Sequence, residues 1–137
     1  MATVPETASR APARIDAVTA VLLVVGVTQL ATGVLAFFAP GAFYDLVASY
    51  PPENHHFLKD VGSWNLSLGA IALYGARRTD WRLPLLGLIG IQYAFHFISH
   101  IIDVNDADPA WQGWFGVIGQ GIGAALLLGL FLRERAR

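Results

Sequence analysis

The sequence predicts an all-α protein, a four-helix transmembrane bundle with a short amphipathic helix at the membrane interface between its first and second spans. Of the 137 residues, 55% are hydrophobic and only 14% are charged. The mean hydropathy is +0.51. The apolar residues are grouped in four long blocks and do not alternate with polar residues on a helical or strand period. Because about 20 apolar residues are needed to cross a bilayer as a helix, each block is a candidate span.

The first block follows a polar leader at 1–14, which is expected to lie in the cytoplasm, and its apolar residues extend over 15–38. A secretory signal has an apolar core of about 7 to 15 residues, so this longer block is interpreted as a retained span. Three more blocks follow it. The transmembrane domain is therefore predicted to cover 15–132.

The remaining spans are delimited by proline, acidic and basic residues. Pro52 suits the first turn of a helix over 52–76, and Pro84 favours the start of a helix over 83–102. Asp108 is expected to be the N-cap of the fourth helix, with Pro109 in its first position. That helix is predicted over 109–132, and a basic cytoplasmic tail follows at 133–137.

Basic residues predict the orientation of the bundle. In a four-span arrangement almost all of them fall on one side: Arg10, Arg14, Arg77, Arg78, Arg82, Arg133, Arg135 and Arg137. The positive-inside rule then puts both termini in the cytoplasm and makes the chain a multi-pass protein of the cytoplasmic membrane. Since the formal net charge is -1 and there is no basic stripe, no nucleic-acid partner is expected. Cysteine is absent, which excludes thiolate metal sites.

The loop between the first and second spans contains apolar residues at helical spacing. Phe43, Leu46, Val47 and Tyr50 recur every three or four residues. This pattern predicts the short amphipathic helix lying on the outer membrane surface.

Two polar pairs with the same four-residue spacing indicate a site at the outer end. His96 and His100 share a face of the third helix, and His56 and Asp60 share a face of the second. Because the two helices run antiparallel, His56 can meet His100 and Asp60 can meet His96 at matching depth. Imidazole and carboxylate suit zinc, copper or iron(II), so these four residues are the candidate ligands of a divalent metal site.

Further polar side chains lie near this centre. Gln92, Ser99 and Asp103 continue the histidine face, while Gln29 and Gln120 lie among glycines on the first and fourth helices. They are candidates for supporting the metal ligands or for bonding helices together. The glycine stripes, including Gly119 and Gly123, are expected to let helices pack closely.

Other hypotheses stay open. The polar stripes could serve only as interhelical hydrogen bonds in a structural or accessory membrane subunit. His96 or His100 could instead be a proton relay in a small proton-coupled transporter or an axial ligand to haem. The lipid bilayer is the one partner that the composition implies, with a homo-oligomer or a membrane complex as further hypotheses. No reaction or catalytic residue is assigned.

Three segments, "NHHFLKDVGSWNLSLGAIAL", "WRLPLLGLIGIQYAFHFISHIID" and "DADPAWQGWFG", together resemble a group of small four-span bacterial membrane proteins and, more loosely, DoxX-like proteins. The resemblance covers most of the chain after about residue 15 and implies a four-helix bundle in the cytoplasmic membrane. It implies no particular activity. The two spaced pairs are also similar, in ligand type and setting, to Asp/His copper sites in the membrane subunits of copper-dependent monooxygenases; substrate and activity do not follow from this likeness.

Overall fold

The computed structural model describes residues 15–137, and all regular secondary structure in that range is helical. The helices are α1 (Ala17–Phe38), α2 (Pro40–Leu46), α3 (His55–Arg77), α4 (Thr79–Ile102) and α5 (Trp111–Arg135). The predicted all-α class is therefore confirmed. The predicted leader, with Arg10 and Arg14, lies outside the described residues.

Three of the helices, α1, α4 and α5, are long and apolar enough to cross a membrane. The chain therefore has the character of a multi-pass membrane protein, as the composition predicts. Helix α3 does not reach the same apolarity, because its first half includes His55, His56, Lys59, Asp60 and Asn65. Its 23 residues are nevertheless about 34 Å long, at 1.5 Å per residue.

The helix starts differ from the predicted ones for local reasons. Helix α3 begins at His55, three residues after Pro52, because the Asn54 side chain accepts a hydrogen bond from the Phe57 N–H at 3.1 Å and caps it. Helix α5 begins at Trp111 without a side-chain cap. The backbone N–H of Asp108, expected at that cap, donates instead to the Ser49 carbonyl at 2.9 Å.

Helix α4 begins one turn before the expected start, at Thr79, so that Pro84 lies inside it. The earlier turn is closed by the Trp81 N–H, which donates to the Arg78 carbonyl at 3.1 Å. The Arg78 guanidinium also donates to both carboxylate oxygens of Asp80, at 3.2 and 3.1 Å. These contacts stabilise a turn that the position of Pro84 alone did not indicate.

A short helix does follow α1, but it contains only part of the predicted apolar face. Helix α2 ends at Leu46, so Val47 and Tyr50 lie beyond it. Phe43 is buried against Ala36 and Leu58, whereas Leu46 is exposed. Phe43 thus packs α2 against α1 and α3. The location of α2 at a membrane surface stays a prediction.

Helices α1 and α3 pack face to face through glycines that are seven residues apart on each helix. Gly33 lies against the backbone of Gly62 and Leu66, and Gly69 lies against the backbone of Gly26 and Leu30. Without a Cβ, the two backbones approach to within ordinary contact distance. The glycine stripe predicted on α1 is thus a packing surface, whereas a Cβ placed at Gly119 on α5 would have no atom of residues 15–137 within 4 Å.

The main hydrophobic core lies at the arginine-rich end of the bundle, where all four long helices meet. It consists of Val18, Leu22, Val25, Leu68, Ala72, Ala76, Leu85, Leu86, Ile89 and Leu127. At the opposite end, a smaller cluster joins only α1, α2 and α3. Helices α4 and α5 are closely packed on each other along the bundle. At the end opposite the arginines, however, this pair diverges from α1 and α3. This divergence leaves a cavity.

Asp16 ties α1 to α4 at the arginine-rich end. Its carboxylate caps α1 by accepting from the Thr19 N–H at 2.8 Å, and it pairs with the Arg82 guanidinium at 2.7 Å. The pKa of Asp16 is lowered from 3.8 to about 2, mainly by the backbone hydrogen bond from Thr19 and also by the neighbouring Arg82 guanidinium. Helices α1 and α4 therefore begin at the same end of the bundle.

Asp16→Asn is expected to destabilise the protein at neutral pH, because asparagine keeps the cap but loses the charge pair. Since the folded-state pKa is depressed, the contribution of the carboxylate is complete above pH 3.8 and is lost as the pH falls toward about 2. Unfolding of both proteins in detergent micelles should therefore give a difference in stability that shrinks over this interval. The same substitution in an Arg82→Gln background should have a smaller effect, and an equal effect in both backgrounds would contradict the pairing.

Candidate functional site

A cavity of about 580 Å³ lies between the α1/α3 pair and the α4/α5 pair, at the end opposite the arginines. It reaches from Asp103, just after α4, to Tyr93 near the middle of that helix. At 1.5 Å per residue this is a depth of about 15 Å. Its wall is mostly apolar, with polar side chains at the mouth and at the deep end. The volume of the cavity and its mostly apolar lining match those of sites that bind small molecules.

The two histidines predicted on α4 lie together in the cavity wall. The His96 and His100 rings are stacked with centroids 4.7 Å apart and an angle of 28° between their planes. Gly116 on α5 makes room for His100, since a Cβ at that position would overlap the imidazole ring. Ser99 and Asp103 line the same cavity, as their position on the histidine face indicated.

The Tyr50 hydroxyl lies 2.9 Å from Nδ1 of His100 at the mouth of the cavity. Burial, followed by the charges of Asp103 and Asp106, raises the pKa of Tyr50 above its ordinary value of 10.0. The hydroxyl therefore keeps its proton and can donate it to Nδ1 when the neutral imidazole is protonated on Nε2. This contact fixes the orientation of the His100 ring.

Gln112 ties the loop that carries Tyr50 to α5. It is 6% exposed, and its Oε1 accepts from the Ser49 N–H at 3.0 Å while its Nε2 donates to the Asp45 carbonyl at 3.4 Å. The Asp108 N–H adds the bond to the Ser49 carbonyl described above. The loop between α2 and α3 is thus a structured wall of the cavity.

The deep end of the cavity is made of uncharged polar groups. Gln29 is 8% exposed, and its Nε2 donates to the Tyr93 hydroxyl at 3.3 Å. The Asn65 amide lies 3.5 Å from the Thr32 hydroxyl, and both residues line the cavity. Gln120 also lines it, and its Oε1 is buried with no hydrogen-bond partner among residues 15–137. A buried acceptor without a partner is costly, so a ligand that donates a hydrogen bond here would be stabilised.

The second predicted pair, His56 and Asp60, is not part of the cavity. It lies on the exposed face of α3, with His56 Nε2 and Asp60 Oδ2 3.7 Å apart and side chains 90% and 65% exposed. A shallow groove between α3 and α4 contains Asp60, Gln92 and His96. Asp60 and His96 therefore border the same depression, as the antiparallel register suggested, whereas His56 and His100 lie in different environments.

Within the described part of the chain, no group of three or more His, Asp or Glu side chains is arranged to hold a metal ion. The structure brings His96 and His100 together and leaves His56 apart. Binding of zinc, copper or iron stays a prediction.

Several residues of the site were not predicted to belong to it from the sequence. Tyr93 lies three residues before His96 on the same helical face, so helical spacing could have indicated it. Helical spacing could not have indicated Asn65 or Tyr50 as residues of the site. The position of Asn65 depends on the packing of α3, and that of Tyr50 depends on the loop held by Gln112.

No protein-family model, no curated protein and no solved structure matches this chain. The fold itself defines the class, a helical multi-pass membrane protein with three apolar helices capable of crossing a bilayer. The resemblance to DoxX-like proteins stays a prediction.

Proposed function

We propose that this chain is a four-span bundle of the bacterial cytoplasmic membrane that binds a small uncharged ligand in the cavity between its helix pairs. Helix α3 is the fourth span in this proposal. Arg82 of α4 pairs with Asp16 at the start of α1, which supports a return of the chain across the membrane between these two helices. Helix α3 packs along α1, and its length of about 34 Å exceeds the roughly 30 Å of a hydrocarbon core.

The orientation follows from the arginines at the end of the bundle where α1 and α4 begin. Arg77, Arg78 and Arg82 lie there, and α5 ends with Arg133 and Arg135. By the positive-inside rule this end is cytoplasmic, so the mouth of the cavity faces outward. A reporter that is active only in the cytoplasm should work when fused after Arg137. Activity of a periplasmic reporter at the same position would reverse the orientation.

One observation carries the binding function, namely a cavity whose deep end presents hydrogen-bonding groups at mid-membrane depth. The groups there are amides and hydroxyls, from Gln29, Asn65, Tyr93 and Gln120. A charged ligand group at this depth costs about 2.5 to 3.5 kcal/mol on insertion scales, and the described residues that line the deep end offer it no opposite charge. An uncharged ligand with polar groups at one end fits both the lining and the depth.

Mass spectrometry of the protein extracted from membranes under non-denaturing conditions tests this function. We expect a bound small molecule that is retained in mild detergent and reduced in a Tyr93→Phe variant. Val24→Ala, on the exposed side of α1, is the matched control and should retain the molecule. Wild-type protein that carries no small molecule, and takes up none from a membrane lipid extract, would contradict the proposal.

A divalent metal is a second candidate, favoured by the neighbouring His96 and His100 rings in one cavity with Asp103. Elemental analysis of protein purified without chelator would then show about one zinc, copper or iron per chain. A His96→Ala/His100→Ala variant should lose it. Equal metal content in both proteins would exclude these histidines as ligands, and a Soret band would indicate haem instead.

A further inference from the structure

The groove between α3 and α4 and the cavity behind it share part of their walls. Val61, Asn65 and His96 line both of them. Helix α3 contacts α4 far less extensively than it contacts α1, so the two helices are only loosely packed along this seam. These three side chains form the boundary that the cavity and the groove share.

The outer side of the groove is suited to contact with lipid. Trp64 and Phe95 border it and are 49% and 71% exposed. Gln92, also in the groove, has an Oε1 that is buried and has no hydrogen-bond partner within the described range. Together with Gln120 in the cavity, it provides a second free acceptor between the membrane side and the deep end.

We propose that the groove between α3 and α4 is a lateral portal through which an uncharged, lipid-soluble molecule with a hydroxyl group passes between the bilayer and the cavity. This rests on the proposed ligand-binding function and specifies the ligand class and its route. The hydroxyl group supplies the donor that the Gln92 and Gln120 oxygens lack. The apolar part of the molecule lies against Trp64 and Phe95 during passage and against the apolar cavity wall when bound.

A single-tryptophan reporter makes the binding measurable. The four native tryptophans, Trp64, Trp81, Trp111 and Trp114, are all exposed and can be replaced by phenylalanine, which keeps an aromatic ring at position 64 of the groove. Tyr44→Trp then places one fluorophore in the cavity wall. The probe is a long-chain alcohol with a nitroxide quencher near its hydroxyl end, added to phosphatidylcholine vesicles that contain the protein. Its methyl ether is the control probe.

We expect the alcohol to quench the reporter at a membrane concentration about tenfold lower than the ether, since the ether cannot donate a hydrogen bond. Gln120→Leu should remove most of this preference. Val61→Phe adds a ring to the shared wall and should slow quenching, followed by stopped flow, about tenfold. Val24→Phe, on the exposed side of α1, should leave the rates unchanged.

The outcomes separate the portal from the binding function. Unaltered rates in Val61→Phe, with the preference for the alcohol intact, would overturn the portal and leave the cavity as the binding site. Equal quenching by the alcohol and the ether would overturn the hydroxyl ligand. If the nitroxide alcohol quenched the tryptophan reporter no more strongly than a nitroxide-labelled phospholipid at the same membrane concentration, ligand binding in the cavity would be contradicted altogether.

Discussion

Gly69→Ala is expected to lower the free energy of unfolding by about 3 kcal/mol, the upper end of the usual range for overpacking. A Cβ at this position would lie 2.8 Å from the backbone nitrogen of Leu30 and 2.9 Å from the carbonyl oxygen of Gly26. Backbone atoms within a helix cannot turn aside as a side chain can, so α1 and α3 must separate. The effect should be measured by reversible unfolding in detergent micelles.

Gly129→Ala is the matched control, because Gly129 is also helical and a Cβ there meets no atom of the described residues within 4 Å. Alanine is the better helix former by about 1 kcal/mol, so this variant should be as stable as the wild type or more stable. If Gly69→Ala proved as stable as Gly129→Ala, the close packing of α1 against α3 would be refuted.

Gln29→Leu is expected to weaken binding of the proposed ligand at least about tenfold. Gln29 is the most buried polar residue at the deep end of the cavity, and its amide donates to the Tyr93 hydroxyl at 3.3 Å. Leucine has a similar size but removes this bond, so the tyrosine hydroxyl loses the partner that orients it toward the cavity. The Tyr44→Trp reporter and the nitroxide alcohol provide the measurement.

Val27→Leu, at an exposed position two residues away on α1, is the control and should bind as the wild type does. Far-ultraviolet circular dichroism of both variants would verify that the helices are retained. Undiminished affinity in Gln29→Leu would show that the deep polar groups do not contact the ligand.

Helical spacing predicted much of the site because it concerns residues on a single helix. His96, Ser99, His100 and Asp103 were placed on one face of α4 from their spacing alone, and all of them line the cavity. Gln92, placed on the same face, lies in the groove outside the cavity. Contacts between helices were harder to predict. The pairing of His56 with His100 required an assumed register and rotation of α3, and the structure turns His56 outward.

Composition and the length of the apolar blocks by themselves determined the all-helical class and the membrane character, since crossing a bilayer requires long apolar helices whatever their packing. Only the tertiary structure decided that His56 lies exposed on α3, apart from His100, while Asp60 shares a shallow groove with His96, and that the helix pairs diverge at one end. It also decided that Tyr50 meets His100, through a loop held by Gln112. The physical reason is that the rotation of one helix against another depends on side-chain volumes on both surfaces at once, which no single helix encodes.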